Sequence, residues 1–335
     1  MTDDDVYQVD ILQGVSRTFA LTIPQLPPAL CKVVSNGYLL CRIADTIEDE
    51  PQLTPTQKRQ FSQEFIKVVA GDYDPKVLSQ ALFPLLSDST LAAEKDLIFN
   101  MSRVLRLTHG FTPPQRVALH RCVHIMAEGM ADFQQNNSLN GLKDLQEMDR
   151  YCYHVAGVVG EMLTDLFCDY SPDIAQHKIQ LQKLAVSFGQ ALQMTNILKD
   201  IWEDRKRGAC WLPRDVFARL DFDLKNLSPT QYNPKFGDGL AELIGITYTH
   251  LHNALRYILL IPPDEKGIRR FCLWALGMAI LTLRRILKQR DFCHGQEVKI
   301  SRRSVKATIL ISNLTTRCDT CLQFLFYLLA RGLDK

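Results

Sequence analysis

The sequence carries two copies of one acidic motif, D-x-x-E-D, at residues 45–49 and 200–204. On an α-helix, positions i, i+3 and i+4 share a face, so each copy directs three carboxylates to one side. Like charges at this spacing cost roughly 0.2–0.5 kcal/mol per pair, and local conflicts of this kind are expected at functional sites. The candidate metal-ligating carboxylates are Asp45, Glu48, Asp49, Asp200, Glu203 and Asp204.

Such triplets suit Mg²⁺, which takes one or two carboxylates, keeps several waters and binds substrate phosphate. Two triplets facing each other across a cavity would hold several Mg²⁺ ions around a diphosphate. The ions would stabilise the departing diphosphate and so promote formation of a carbocation. The alternative is two acidic helix ends in solvent. Two identical copies argue against it, because both end mostly apolar helices and the helix dipole disfavours acidic residues there.

Two polar residues precede the first triplet on the same helical stripe. Arg42 lies one turn before Asp45, and Tyr38 lies one turn before Arg42. We expect Arg42 to bind diphosphate oxygens, with a structural ion pair to Asp45 or Asp49 as the alternative. Further upstream, Ser16 and Arg17 precede a proline-rich turn and suit a phosphate-binding flap.

The second triplet also has polar neighbours. Gln193, Asn196 and Lys199 precede it, and Asn196 lies four residues before Asp200, so we expect a buried amide that binds a metal or its water. The run that follows the triplet is either a loop that closes over the diphosphate or a solvated charge run. Its candidate substrate-binding residues are Arg205 and Arg207.

The segment 149–160 combines a tyrosine with two glycines in an otherwise apolar helical stretch. Tyr151 offers a phenol that could relay a proton during catalysis. Gly157 and Gly160 each cost a helix up to about 1 kcal/mol relative to Ala. We expect these small residues to let a bulky substrate chain pass close to the backbone.

Helical periodicity dominates the whole chain, and no run of alternating strands is found. One all-α domain of roughly ten helices, covering 1–335, is therefore predicted. The predicted helices are Ala29–Glu50, Thr54–Val69, Ala92–Leu107, Gln115–Gln135, Leu145–Phe167, Gln176–Trp202, Gly239–Leu259, Glu265–Arg290 and Ser304–Leu329.

Composition excludes several classes of function. The net charge is +2, and no basic stripe stands out, so nucleic acid binding is not expected. The acidic, polar N-terminus is not a signal peptide, and no apolar run reaches the roughly 18 residues that a membrane span needs. Ten scattered cysteines indicate a reducing compartment. We expect a cytoplasmic protein without a transmembrane anchor, which a greasy substrate could draw to a membrane surface.

Together these motifs resemble the squalene and phytoene synthase family of head-to-head prenyltransferases, from Ser16 to about Asn313. Residues 38–49 look like the first aspartate-rich helix of the family, and residues 193–204 look like the second. Three later segments, 151–160, 271–283 and 298–300, are similar to those of the squalene-forming members. The resemblance implies an all-α, isoprenoid-synthase-type bundle around a central cavity.

The resemblance also implies a reaction. Two farnesyl diphosphates would condense through presqualene diphosphate to squalene, in sterol or hopanoid biosynthesis, with Mg²⁺ and NADPH as cofactors. Tyr151 would take part in the proton relay, and Lys299 and Arg302 would contact NADPH. The alternatives are a dehydrosqualene or phytoene synthase, an enzyme that stops at presqualene diphosphate, and a non-catalytic helical binding module.

Two positions depart from the family pattern. Ala209 stands where members often carry an arginine after the loop glycine, and Ser301 stands where the squalene-forming pattern has a base. Gly208 followed by Trp211-Leu212-Pro213 is closer to the phytoene-type enzymes. The chain also lacks G-x-G-x-x-G, so NADPH would have to bind without a Rossmann fingerprint.

Overall fold

The computed structural model describes residues 2–16, 18–135 and 138–334, so Arg17 lies outside the described residues. These described stretches contain no β-strand, and the all-α prediction is confirmed. The α-helices are α1 Asp3–Val15, α2 Phe19–Thr22, α3 Pro28–Asp49, α4 Pro55–Ala70, α5 Pro75–Leu82, α6 Ala92–Phe99, α7 Met101–His109, α8 Pro113–Gln135, α9 Leu145–Cys152, α10 Val158–Tyr170, α11 Pro172–Ala175, α12 Lys178–Lys199, α13 Ile201–Lys206, α14 Arg214–Ala218, α15 Pro234–Leu260, α16 Lys266–Lys288, α17 Arg302–Thr315 and α18 Asp319–Ala330.

Most predicted helices are found within a few residues of their expected ends, but four are interrupted. The first break lies at Asn100, whose side chain bonds back to the Asp96 carbonyl and so competes with the helix backbone. A π-helical turn at Tyr153–Gly157 separates α9 from α10, and Asp200 separates α12 from α13. A short turn at 316–318 divides the last predicted helix into α17 and α18. Five helices were not predicted, namely α1, α2, α5, α11 and α14.

The chain contacts divide into two compact units. The first runs from the N-terminus to residue 136 and takes in 161–178; the second covers 137–160 and 179–335. The expected single domain therefore stays a prediction, and each unit is described by itself.

In the first unit, α3 is buried along most of its length. It begins with Pro28, whose missing N–H costs nothing in the first turn of a helix. Gly37 brings it close to α8 and α10, because a Cβ added there would lie 3.0 Å from Leu119 and 3.1 Å from Met162. Buried Asn36 donates to Gln8 and to the Val104 carbonyl, which fixes α3 to α1 and α7. These contacts fix the middle of α3, which precedes the acidic triplet on the same helix.

The glycines of the 149–160 segment have a different role from the expected one. A Cβ on Gly160 would lie 2.3 Å from the Ala185 carbonyl oxygen, and one on Gly189 would lie 2.2 Å from the Ala156 carbonyl oxygen. These glycines therefore let two helix backbones of the second unit approach closely. The expectation that Gly160 makes room for substrate is wrong, since the α12 backbone fills that space.

The last two helices, with the turn at 316–318 between them, form what we call the C-terminal hairpin. Buried Arg269 on α16 holds its turn, donating to the Thr316 carbonyl at 2.9 Å and to Asp319 at 2.7 Å. A third bond from Arg269 reaches the Ile261 carbonyl. Within the described residues, no helix has the length and apolar character needed to cross a membrane.

Candidate functional site

The first acidic triplet occupies the last turn of α3. Asp45 and Glu48 lie in surroundings that exclude most solvent, and Glu48 is only 8% exposed. Gln134 donates to the Glu48 carboxylate at 3.2 Å, and the Lys58 ammonium donates to the Glu48 backbone carbonyl. Lys58 thereby supplies a cation at the negative end of the helix dipole, which offsets part of the cost of the acidic residues.

Burial and mutual repulsion change how these carboxylates ionise. Burial is the main cause that raises the pKa of Glu48 to about 8, and the neighbouring Asp49 and Asp45 charges raise it further. Burial likewise raises the pKa of Asp45 to about 6, against the opposing effect of the Arg42 guanidinium. A cluster of this kind lacks enough positive charge among its protein neighbours, so a bound dication would relieve the repulsion.

The residues upstream of this triplet form a connected chain of contacts. Arg42 lies 3.5 Å from Asp45 in an ion pair, which was the structural alternative for this residue. Arg42 also donates to the Tyr38 hydroxyl, and Tyr38 donates to the Val15 carbonyl at 3.2 Å. The Ser16 hydroxyl accepts from the Phe19 N–H and so shapes the turn after α1. The candidate flap is thereby connected to the acidic end of α3.

The second triplet lies where α12 passes into α13. Asp200 has φ −101° and ψ 16°, which ends one helix and begins the next. The i→i−4 bonds nevertheless continue, from Asp200 N to the Asn196 carbonyl and from Asp204 N to the Asp200 carbonyl. The three carboxylates therefore keep the i, i+3, i+4 spacing predicted from the sequence.

Two cationic side chains form ion pairs with this triplet. Lys199 lies 3.0 Å from Asp200, and Arg207 lies 2.7 Å from Asp204. The pKa of Asp200 is raised by burial, although Lys199 opposes this effect. Arg207 is thus fixed to the triplet by an ion pair in this state of the protein.

The remaining polar candidates are more scattered. Asn196 is exposed, so the expectation of a buried amide is wrong; its side-chain oxygen accepts from Lys199 at 3.3 Å. Gln193 is half-buried on α12. Arg205 donates to the Leu139 carbonyl at 3.1 Å, which ties α13 to the segment before α9.

Glu203 and Gly295 form a close contact that sequence reasoning missed. The Gly295 N–H donates to Glu203 Oε1 at 3.2 Å. A Cβ on Gly295 would lie 2.9 Å from the Lys199 carbonyl oxygen and 3.2 Å from Asp200 Oδ1. The other carboxylate oxygen of Glu203, Oε2, is buried and has no hydrogen-bond partner among the described residues. An oxygen in that position fits a metal ion or a metal-bound water.

Tyr151 lies at the end of α9 and is buried. Its ring stacks on Trp211, with centroids 4.0 Å apart and planes inclined by 6°. The π-helical turn begins two residues later, and such turns are frequent at functional sites. The contact with Trp211 was not predicted, because the two rings lie 60 positions apart in the sequence and no periodic signal connects them.

The candidate NADPH contacts lie at the start of α17. Lys299 and Arg302 are both exposed. Ser301 is the N-cap of α17, since its hydroxyl accepts from the Ser304 N–H at 3.1 Å. The departure at Ser301 thus has a structural reason, because serine is a favoured N-cap residue. Ala209 is buried, and its N–H donates to the Asp204 carbonyl at 3.0 Å.

The donor set of the two triplets fits Mg²⁺. Hard carboxylate oxygens are present in each, and the crowding described above favours a divalent cation. Over residues 2–16, 18–135 and 138–334, no three side chains of His, Cys, Asp or Glu converge into a ready metal cluster.

Known proteins resemble this chain over most of its length. The family model for squalene/phytoene synthase matches residues 12–304. A squalene synthase of Eremothecium gossypii is 29% identical over 282 residues, covering 82% of this chain and 60% of that protein. A squalene synthase of Cyberlindnera jadinii is 28% identical over 317 residues, covering 92% of this chain and 67% of that protein. The chain thus spans about 60–67% of the length of these relatives.

A solved structure of TcSQS with the ligand BPH1237 has the same fold, with a TM-score of 0.75 and 21% identity over 99% of both chains. The all-α architecture is therefore that of the isoprenoid synthases. From the family match over residues 12–304, the chain belongs to the squalene/phytoene synthase family.

Proposed function

We propose that this chain is a magnesium-dependent squalene synthase. It would join two farnesyl diphosphates head to head through presqualene diphosphate and reduce the product to squalene with NADPH. The observation that carries the proposal is the doubled acidic triplet, at the end of α3 and at the α12–α13 junction. The names of the relatives support squalene as the product within the family.

In this proposal the metal ligands come from both triplets. Asp45, Glu48 and Asp49 would supply oxygens from α3. Asp200, Glu203 and Asp204 would supply the second set, with exposed Asn196 as a ligand through its side-chain oxygen. When bound, Mg²⁺ would neutralise the negative charge that develops on a departing diphosphate.

The cationic residues would bind and orient the diphosphates. Arg42 is held by Tyr38 and Asp45, so its guanidinium is already positioned for an anion. Lys199, Arg205 and Arg207 would do the same beside the second triplet, where Arg207 must exchange its Asp204 contact for diphosphate. Ser16, Arg17, Tyr38 and Gln193 complete the proposed substrate-binding set.

Tyr151 would hold or move the proton lost when the cyclopropane of presqualene diphosphate closes. Its burial and its stacking on Trp211 restrict the phenol to one orientation, which a proton relay requires. Trp211 would act as a positioning residue, because it contacts the tyrosine ring.

NADPH would supply hydride to the final carbocation. Lys299 and Arg302 are exposed cations beside the N-terminus of a 14-residue helix, and both features favour a phosphate group. This donor set fits the anionic part of the cofactor without a Rossmann motif.

The test is product identification after incubation with farnesyl diphosphate and Mg²⁺, with and without NADPH. We expect squalene with NADPH, and presqualene diphosphate or dehydrosqualene without it. Squalene formed without NADPH would refute the cofactor assignment. Dehydrosqualene in both reactions would identify the alternative synthase, and recovery of unreacted substrate in both would favour a non-catalytic module.

A further inference from the structure

The C-terminal hairpin has an exposed apolar face that the proposed reaction does not use. Exposed apolar side chains are ordinary when scattered, but six of them concentrated on two consecutive helices indicate an interaction surface. Leu314 is the most exposed of the set, at 77%. The members are Leu310, Ile311 and Leu314 on α17, and Phe324, Tyr327 and Leu328 on α18.

The pattern along α17 places cations on the apolar face of this helix, near its N-terminal end. Arg303, Lys306, Leu310 and Leu314 follow the i, i+3, i+7, i+11 spacing of a single helical stripe. All four are exposed. Long cationic side chains beside exposed leucines are typical of helices that lie in a membrane interface, where the cations reach the headgroups.

The charge of the hairpin favours an anionic partner. Residues 302–331 contain five Lys or Arg side chains and one carboxylate, Asp319. Asp319 is bound by buried Arg269 at 2.7 Å, which reduces its effect on the surface. Arg317 is bound in the same way by exposed Asp264 at 2.9 Å, so four cations carry the charge of the hairpin. A surface that is both apolar and cationic complements a bilayer with anionic headgroups. The whole chain has a net charge of only +2, so the basic character of the hairpin is local.

The hairpin is also positioned before any partner arrives. The three hydrogen bonds of Arg269 hold its turn, and Arg284 donates to the Leu329 carbonyl at 2.8 Å near its other end. Because the two helices are already ordered, binding would cost little conformational entropy.

A groove of about 230 Å³ lies between α16 and the hairpin. Its walls are mostly leucine and isoleucine, and the hydroxyls of Thr308 and Thr315 donate to carbonyls of their own helix. Ile311 lines this groove and also belongs to the exposed face, so the two are continuous. The groove offers apolar volume to the end of a lipid chain at the surface of the protein.

We propose that the C-terminal hairpin docks on an anionic lipid bilayer, with α17 and α18 lying in the plane of the interface. If the proposed function holds, the hydrocarbon product would leave the enzyme next to the lipid bilayer, in which it dissolves. The docking itself does not depend on catalysis, so the two proposals are tested separately.

The experiment is co-sedimentation of the full chain with vesicles of phosphatidylcholine alone and with added phosphatidylserine. We expect binding to the anionic vesicles, weaker binding to the neutral ones, and a loss of affinity as salt rises. Absence of binding to the anionic vesicles at low salt would overturn the proposal.

Two double variants test the surface. Leu310→Ser with Leu314→Ser removes apolar contact, and Lys306→Gln with Arg331→Gln removes two charges. The charge variant should lose about 30-fold in affinity for anionic vesicles. If the leucine variant does not fold, the charge variant still decides the question, because it alters only exposed side chains.

Matched controls lie elsewhere on the protein. Ile179 is 77% exposed, as Leu314 is, and Ile179→Ser should leave vesicle binding unchanged. Arg116→Gln with Lys183→Gln removes two exposed charges outside the hairpin. Equal losses in hairpin and control variants would contradict the proposal. A different result would also contradict the proposal: the wild type is a dimer, Leu314→Ser makes it a monomer, and neither form binds vesicles. The partner of the hairpin would then be a second copy of this chain.

The readout that separates the two proposals is turnover in detergent. Hairpin variants should keep wild-type turnover there while losing vesicle binding. A wild type that binds vesicles but has no turnover would instead contradict the proposed function and leave the docking surface supported.

Discussion

At the scale of single residues, the account depends on carboxylates that the protein holds in an unfavourable setting. Glu48 is buried and Asp45 is half-buried beside further acidic groups, and their pKa values rise to about 8 and about 6. A structural role would not require this arrangement, since neutral residues would pack at lower cost. A bound divalent cation would offset the repulsion among these carboxylates, as the proposed function expects.

The raised pKa of Glu48 predicts how the metal-free protein responds to pH. Between its ordinary value of 4.5 and about 8, the folded state keeps a proton that the unfolded state releases. The free energy of unfolding should therefore fall as pH rises through this window. Thermal melting of the protein in EDTA, from pH 5 to 9, measures this change in stability. Glu48→Gln should flatten the profile, and identical profiles for variant and wild type would contradict the assignment.

Gly295 gives a second prediction at this scale. In Gly295→Ala, the new Cβ would meet the Lys199 carbonyl oxygen at 2.9 Å and Asp200 Oδ1 at 3.2 Å. We expect displacement of the second triplet, a higher Mg²⁺ concentration for half-maximal rate, and little change in thermal stability. The control is Gly110→Ala, where the backbone is helical and the nearest atom would lie 3.4 Å away. An unchanged Mg²⁺ dependence in Gly295→Ala would remove this contact from the site.

Which residues could be predicted follows from their spacing. The shared helix face of each triplet was predicted, because i, i+3, i+4 spacing is a local property of a helix. Gly295, Gln134 and Trp211 were not, because each meets the site through contacts distant in sequence. The exposure of Asn196 was also missed, since periodicity alone does not say which face of a mostly apolar helix is open.

At the scale of elements, two close helix contacts position the chemistry. Gly160 and Gly189 allow the segment that follows Tyr151 to cross α12, which ends at the second triplet. Sequence reasoning identified Gly160 as unusual but assigned its space to substrate. The sequence could not decide whether substrate or a neighbouring helix lies beside Gly160, because a glycine leaves room for either one.

This packing predicts the effect of adding one methyl group. In Gly160→Ala, the Cβ would lie 2.3 Å from the Ala185 carbonyl oxygen, so the helices must separate. We expect a loss of about 1–3 kcal/mol in the free energy of unfolding, measured by urea denaturation. Gly110→Ala should be neutral by the same measurement. Wild-type stability in Gly160→Ala would show that the close approach is absent in solution.

At the scale of the whole molecule, the fold agrees with the all-α class that periodicity predicted, and the family match agrees with the resemblance of the motifs. The all-α class followed from amphipathic spacing over most of the chain. The helix breaks at Asn100 and Asp200, and the π-helical turn, did not follow, because side-chain and tertiary contacts decide them. The single-domain arrangement also remains a prediction, because contacts divide the chain into two units.

In the proposed function, both triplets serve one reaction. Residues that act together in one step lose activity non-additively. The double variant Asp45→Asn with Asp200→Asn should therefore have a turnover rate within a small factor of that of the slower single variant. Multiplicative losses in turnover would indicate two independent contributions.

The most direct test of the central claim is the rate of diphosphate release from farnesyl diphosphate with saturating Mg²⁺. Asp45→Asn and Asp200→Asn should each lose roughly 100-fold or more, with helical circular dichroism and melting temperature preserved. Asp88→Asn, at a fully exposed carboxylate, should match the wild type. Wild-type rates in both Asp45→Asn and Asp200→Asn would contradict the account, because neither triplet would then be needed to remove the diphosphate.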